Sequence, residues 1–306
     1  LSGAAAHARH QGSEHYRMLV HRSNRPGGVH SVDAAQIDVD IPRTFARRLS
    51  VPAGGLDNAN GMADVDIASP LRRVLRAFAT SHRAVGYCQA MNFIAARFLL
   101  LTDSNSHIGA GAGRALGEPI PEHEEEDAYW LLVAVCTKLC PGYYVPSMTG
   151  TMADIRVVQD LLHARLPLVA SKVRRLGVPL EGVVSNWLLT LFSGGGRNGM
   201  SLRVSQRVLD VLMLEGCNVL VAVTFAVFEL AQEDLLRCGS ISTFIEVLSG
   251  TVRGLTDAGP LLRSARNILQ SVGPHQLNNA RRMVTVEVTA EAEDRMKSKL
   301  HRKCNY

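Results

Sequence analysis

The chain has 306 residues, 46% of them hydrophobic, enough to bury a large core as one big domain or as two lobes. Aromatic residues make up only 5%, so aliphatic side chains must fill most of that core. The formal net charge of +5 is modest for this length and comes with no nucleic-acid motif, and the six cysteines form no CxxC pair. Nucleic-acid binding, a zinc centre and a disulfide framework are therefore set aside, and a reducing, cytosolic compartment fits best.

In chain order, residue 1 is leucine, so the sequence reads as an excised fragment, and residues 1–12 are small, polar and expected to fray. His7, His10 and His15 lack the Cys or carboxylate partners that would complete a metal site, so no metal is assigned. Glu14 to Val20 reads as a short helix with Tyr16 and Leu19 on one side, and Arg25 to His30 (RPGGVH) as a turn. Asp33 is a candidate N-cap for a helix carrying Ala34, Ala35 and Ile37. Pro42 disfavours helix at Ile41, which places Arg43 on a loop just past a helix end.

Val51 to Ala68 is rich in Gly, Asn, Asp and Pro and reads as loop. Leu71, Val74, Leu75, Phe78 and Ala79 then recur at i, i+3, i+4, i+7 and i+8, one face of a helix, with Ser69 and Pro70 placed as N-cap and first-turn proline. Met91 to Leu101 is apolar nearly all round, interrupted by Asn92 and Arg97. Such a helix is buried on most sides, and it is too short and too polar at Arg97 to span a bilayer. Between the two helices lies Gly86-Tyr87-Cys88-Gln89-Ala90-Met91-Asn92. An amide pair at the mouth of a buried helix needs partners, so one reading is that Gln89 and Asn92 merely cap or brace the helix start.

Asp103 to Pro121 is a second Gly-rich loop, read as a lid or a variable surface insertion. Glu122 to Asp127 opens a helix with acidic residues that suit its dipole; Trp130, Leu131, Val133, Ala134 and Leu139 carry it inward, and Pro141-Gly142 ends it. Thr151 and Asp154 have capping-box spacing before the stripe Ile155, Val158, Leu161 and Leu162. Pro167 opens a helix to Leu176 that Gly177 closes. Val183 to Phe192 is another apolar helix, containing Trp187. Ser193 to Gly199 (SGGGRNG) lacks the GxxxxGK[ST] pattern and reads as a connector. Leu202 to Glu215, Asn218 to Glu229, Ile241 to Leu248 and Leu261 to Leu269 are further helices. Met283 to Val288 is a β-branched run open to either assignment, and Arg295 to Tyr306 is basic and expected to fray. With no sustained strand alternation, no GxGxxG and no internal repeat, the fold class is all-α, with many helices packed irregularly.

The segment Tyr87-Cys88-Gln89 resembles the YxQ motif of the TBC domain, the family of GTPase-activating proteins for Rab GTPases. That family's other motif, IxxDxxR, lies upstream as Ile37, Asp40 and Arg43, followed by Thr44 and Phe45. Either motif alone is weak; both in order, about one helical hairpin apart, are specific. EEDAYWLLVAV, LCPGYYVPSM, LGVPLEGVVSNWLLTLF and RVLDVLMLEG also resemble later TBC segments, in family order. The domain is expected over residues 13–290, with N- and C-terminal helical lobes, a basic end at 291–306, and the family's first segment, upstream of Tyr16, missing. The chain departs from the pattern twice: Ala90 stands where Gly usually follows the Gln, and Leu209 where an RxWD pattern would have Trp.

The resemblance implies that Arg43 is an arginine finger and Gln89 a glutamine finger, inserted into the active site of a GTP-bound Rab GTPase. Asp40 would hold Arg43, Tyr87 would fix the backbone presenting Gln89, Asn92 would brace the same turn, and Ile37 and Thr44 complete the supporting motif. No cofactor is implied, since the partner carries GTP and Mg; any membrane contact would be indirect, through the Rab, with a cytoplasmic protein recruited peripherally in vesicle trafficking. Two other classes stay open: a Rab-binding scaffold that has lost activation, and a peripheral protein using its basic tail on anionic lipid.

Overall fold

The computed structural model describes residues 13–46, 67–101, 119–194 and 199–304. Among them are fourteen α-helices and no strand. The expected loops over 51–68 and 103–121, and the centre of the Gly-rich connector, fall largely outside the described residues, as do His7 and His10.

The first group of helices comprises α1 (Ser13–Ser23), α2 (Ser31–Ala46), α3 (Ala68–Ser81), α4 (Met91–Leu101) and α5 (Glu122–Ala134), the last running into a single π-helical turn, Val135–Leu139. They pack on one another: α3 lies against α1, α2, α4 and α5. The stripe Leu71, Val74, Leu75, Phe78 and Ala79 is buried as its spacing requires. The helix nevertheless starts earlier than Ser69. Ile67 precedes the first turn without a side-chain cap, and Ser69 and Pro70 lie inside it. Proline is tolerated there because first-turn N–H groups have no helical acceptor.

The second group contains α6 (Thr149–Arg165), α7 (Pro167–Leu176), α8 (Leu180–Leu189), α9 (Leu202–Glu215), α10 (Asn218–Leu230), α11 (Gln232–Arg237), α12 (Ile241–Gly254), α13 (Gly259–Val272) and α14 (Pro274–Cys304). Every residue of α10 from Val219 to Phe228 is buried, and the helix touches α6, α8, α9, α12 and α13. The all-α, two-lobed expectation holds. Leu209 is buried at 2% exposure, so an apolar side chain fills that position without tryptophan. The ambiguous run Met283 to Val288 is helical within α14, whose packing along α6 overrides β propensity, and the helix extends to Cys304.

One local expectation fails because a buried polar group takes a tertiary partner instead of a local one. Thr151 and Asp154 do not cap α6; they lie inside it, behind Met148. Asp154 is fully buried and receives the Arg281 guanidinium through Nε at 2.5 Å and Nη2 at 2.9 Å, with the Tyr143 hydroxyl donating to the same carboxylate. The acidic start of α5 forms as expected, with Glu122, Glu124 and Glu125 in its first turn, and Glu124, Glu125 and Glu126 are in addition buried. Glu125 accepts Arg73 and the Tyr16 hydroxyl, and Glu126 accepts the Trp130 indole N–H.

Candidate functional site

Arg43 belongs to the last turn of α2, with Pro42 inside the helix rather than beyond its end. The proline removes a single N–H bond, while Ile37 and Ile41 are buried at 0% and 3% exposure and hold the backbone helical through it. Asp33 lies in the first turn, two residues after the helix begins at Ser31. Its carboxylate faces Gly86, where a Cβ would stand 3.0 Å from Oδ2; Gly86 also has φ +66°, so only glycine serves there.

Asp40, 1% exposed, is the hub of the site. Its Oδ1 accepts Arg43 Nη1 at 3.2 Å; its Oδ2 accepts the Tyr87 hydroxyl at 3.1 Å and Gln36 Nε2 at 2.9 Å. Burial first, and then the charge of Asp40, pushes the Tyr87 phenol well above its ordinary range, so it stays a donor. A second tie runs beside the first. Thr44 Oγ1 donates to the Asp40 carbonyl at 2.9 Å and accepts Asn92 Nδ2 at 2.8 Å, and Asn92 Oδ1 accepts the Ala90 N–H at 3.1 Å. The end of α2 and the turn before α4 are thereby stitched together by buried polar bonds.

The two residues expected to act are the ones left facing water. The Arg43 side chain is 62% exposed and Gln89 is exposed, with no partner for its amide among the described residues. The reading in which Asn92 braces the helix start is therefore correct for Asn92, while Gln89 braces nothing. Ile37 is the apolar anchor beneath the cluster. Sequence reasoning missed Gln36. It lies four residues before Asp40 on the same helix, the spacing at which helical neighbours meet, so the pairing was open to a reading of the sequence. His15 stacks on Trp130 at 5.7 Å, and among the described residues no group of three metal-ligating side chains converges.

A model of the Rab-GTPase-TBC domain matches residues 6–236. The chain belongs to the Rab-GTPase-TBC domain family. Human TBC1 domain family member 2A is 27% identical over 264 residues, covering 85% of this chain and 25% of that protein. The chain spans a quarter of that protein's length and less than two thirds of the other curated relatives it matches. Among solved structures, the Chlamydomonas flagellar RabGAP TBC domain superposes with a TM-score of 0.65 at 22% identity, covering 86% of this chain and 76% of that one. The Ypt/Rab-GAP domain of Gyp1p gives 0.63 at 19% identity, covering 85% and 80%. At these identities the structures establish the fold. Within the TBC pattern, the departure at Ala90 has a geometric consequence: Ala90 takes φ +98° and is 6% exposed, a left-handed backbone carrying a methyl group. The turn after Gln89 is strained where glycine would be relaxed.

Proposed function

We propose that this chain accelerates GTP hydrolysis by a Rab-type small GTPase, inserting Arg43 and Gln89 into the partner's GTP-bound active site. The observation that carries the reading is the contrast at the site: two exposed side chains on segments tied by the part-buried Asp40–Tyr87 and the buried Thr44–Asn92 bonds. Hydrolysis accumulates charge on phosphate oxygens and needs an aligned water, so positioning and electrostatic stabilisation do most of the work. Arg43 brings a planar, permanently charged fork to the β/γ phosphates. Its bond to Asp40 orients it, and because that is a single bond at 3.2 Å from a guanidinium arm 62% exposed, while Tyr87 and Gln36 stay on the buried carboxylate, the arm can swing away at little cost. Gln89 brings an amide that both donates and accepts, suited to orienting the attacking water. Tyr87, Asn92, Thr44 and Gln36 position these two. The partner carries GTP and Mg. The protein works from the cytoplasm, on membranes that bear the Rab, in vesicle trafficking.

One observation favours a second reading, a Rab-binding scaffold without activation: the strain at Ala90 next to Gln89. Single-turnover GTP hydrolysis across a panel of Rabs separates the two. Activation of at least one Rab, lost by about 10³–10⁵ in rate in Arg43→Lys, is expected. Binding without acceleration supports the scaffold, and near-normal activity of the lysine variant would make Arg43 an ordinary surface arginine.

A further inference from the structure

The outer face of α1, the RPGG turn that follows it and Arg83 enclose an open cleft of about 900 Å³ on which the activity above makes no demand. Its walls carry the guanidinium groups of Arg17, Arg22, Arg25 and Arg83, with Met18 and Pro26 as apolar contacts. The shape is built rather than incidental. At Gly28 a Cβ would stand 2.0 Å from the Arg22 carbonyl oxygen, so the turn folds tightly back on the end of α1. Arg83 Nη2 locks it there, donating to the carbonyls of Gly27 at 2.9 Å and Gly28 at 3.2 Å.

The bland explanation is that basic residues near the end of α1 complement its dipole, but that end carries only about half a negative charge. Three carboxylates also oppose the arginines: Glu14 in the wall, Glu122, which takes the Arg17 guanidinium at 2.8 Å, and Glu126, whose charge also acts on Arg17. Four guanidinium groups exceed all of these together. Arg22 and Arg25 are exposed, and although their backbones close the turn (Arg25 N–H to the Arg22 carbonyl at 3.1 Å), their guanidinium groups have no hydrogen-bond partner among the described residues. A guanidinium fork matches phosphate oxygens two at a time, and several forks around one concavity favour several phosphates on a compact frame. The volume lies within the range of small-molecule sites.

We propose that this cleft binds a small anion carrying two or more phosphate groups, free in solution or as a lipid headgroup, with Arg22, Arg25 and Arg83 as ligands. The inference stands independently of the GTPase-activating reading.

The test is calorimetric titration of the protein with inositol trisphosphate, alongside sedimentation with phosphatidylcholine vesicles doped with phosphatidylinositol bisphosphate or, at matched charge, with phosphatidylserine. Saturable trisphosphate binding is expected, weakening with salt, and falling about tenfold for each of Arg22→Glu and Arg25→Glu while the helical circular dichroism is unchanged. Both positions are exposed, so the variants should fold. Binding of the trisphosphate together with the bisphosphate vesicles assigns a headgroup source; trisphosphate binding alone assigns a soluble one. Absence of binding overturns the proposal, as does binding that both charge reversals leave intact. Vesicle binding that follows total charge regardless of headgroup, or tighter capture of a polyglutamate peptide than of the trisphosphate, overturns it as well.

Discussion

The molecule uses the same three residue types twice, to opposite ends. In the first helical group Asp40 meets Arg43 and Tyr87; in the second Asp154 meets Arg281 and Tyr143. Both aspartates are buried and both tyrosines donate to them. The arginines differ. The Arg281 side chain is 15% exposed and grips Asp154 with two nitrogens, also reaching Asn218 Oδ1 at 3.0 Å, so that α14, α6 and the start of α10 close into one clasp. The Arg43 side chain is 62% exposed and touches Asp40 once, at 3.2 Å. A carboxylate that surrounds its arginine makes a lock; one that holds it by a single bond at the surface makes an arm that can leave.

The largest expected effect breaks this contrast outright. Arg281→Ala strands a buried carboxylate and should cost about 3–5 kcal/mol of unfolding free energy, read by chemical denaturation. Replacing both partners, Asp154→Leu with Arg281→Met, should cost much less, because no charge is left unpaired. Arg43→Ala, by contrast, should change stability by no more than about 0.5 kcal/mol, as an exposed arm would. A loss at Arg43 comparable to that at Arg281 would mean the two clusters do the same structural job.

A smaller effect concerns the turn that the Asp40 cluster supports. Ala90→Gly removes a methyl from φ +98° and should stabilise the protein by up to about 1 kcal/mol, raising both the melting temperature and the rate of Rab activation. An unchanged rate with a higher melting temperature would confine the strain to folding.

The last effect is absent at neutral pH and appears only in alkali, a pH dependence the two clusters share. Burial first, and then the facing aspartate, pushes both the Tyr87 and Tyr143 phenols upward. The folded state therefore holds protons that the unfolded chain releases near pH 10, and stability falls as pH rises above about 10. Tyr16, Tyr129 and Tyr144 shift in the same direction. Tyr87→Phe and Tyr143→Phe should each remove one share of that slope, about 1.4 kcal/mol per pH unit, in thermal melts across alkaline pH. Only Tyr87→Phe should also slow Rab activation at neutral pH.

Much of this was legible in the sequence. Helical periodicity located the buried faces of α3 and α6, an unbroken apolar run located α4, and Gly177 and Gly216 marked helix ends, because these signals depend on residues a few positions apart. Arg43, Asp40 and Tyr87 were legible as motif positions and Asn92 as a polar residue in need of a partner, and the structure places them in one bonded cluster. What stayed hidden was tertiary in origin. Pro42 argued for a helix end that buried Ile37 and Ile41 override. Asp154 read as a cap because its true partner, Arg281, lies 127 residues away. The φ of Ala90 was foreseeable only as a condition, since the sequence shows the methyl but not the turn.

The central claim is that this chain supplies both the charge and the water-orienting amide. It is tested most directly by single-turnover hydrolysis with a responsive Rab whose own water-positioning glutamine is replaced by leucine. If Gln89 orients the water, the protein still accelerates that variant, and Gln89→Ala abolishes the residual acceleration while leaving the helical spectrum intact. If the leucine variant is untouched while the normal Rab is activated, the role given to Gln89 is wrong and Arg43 works alone.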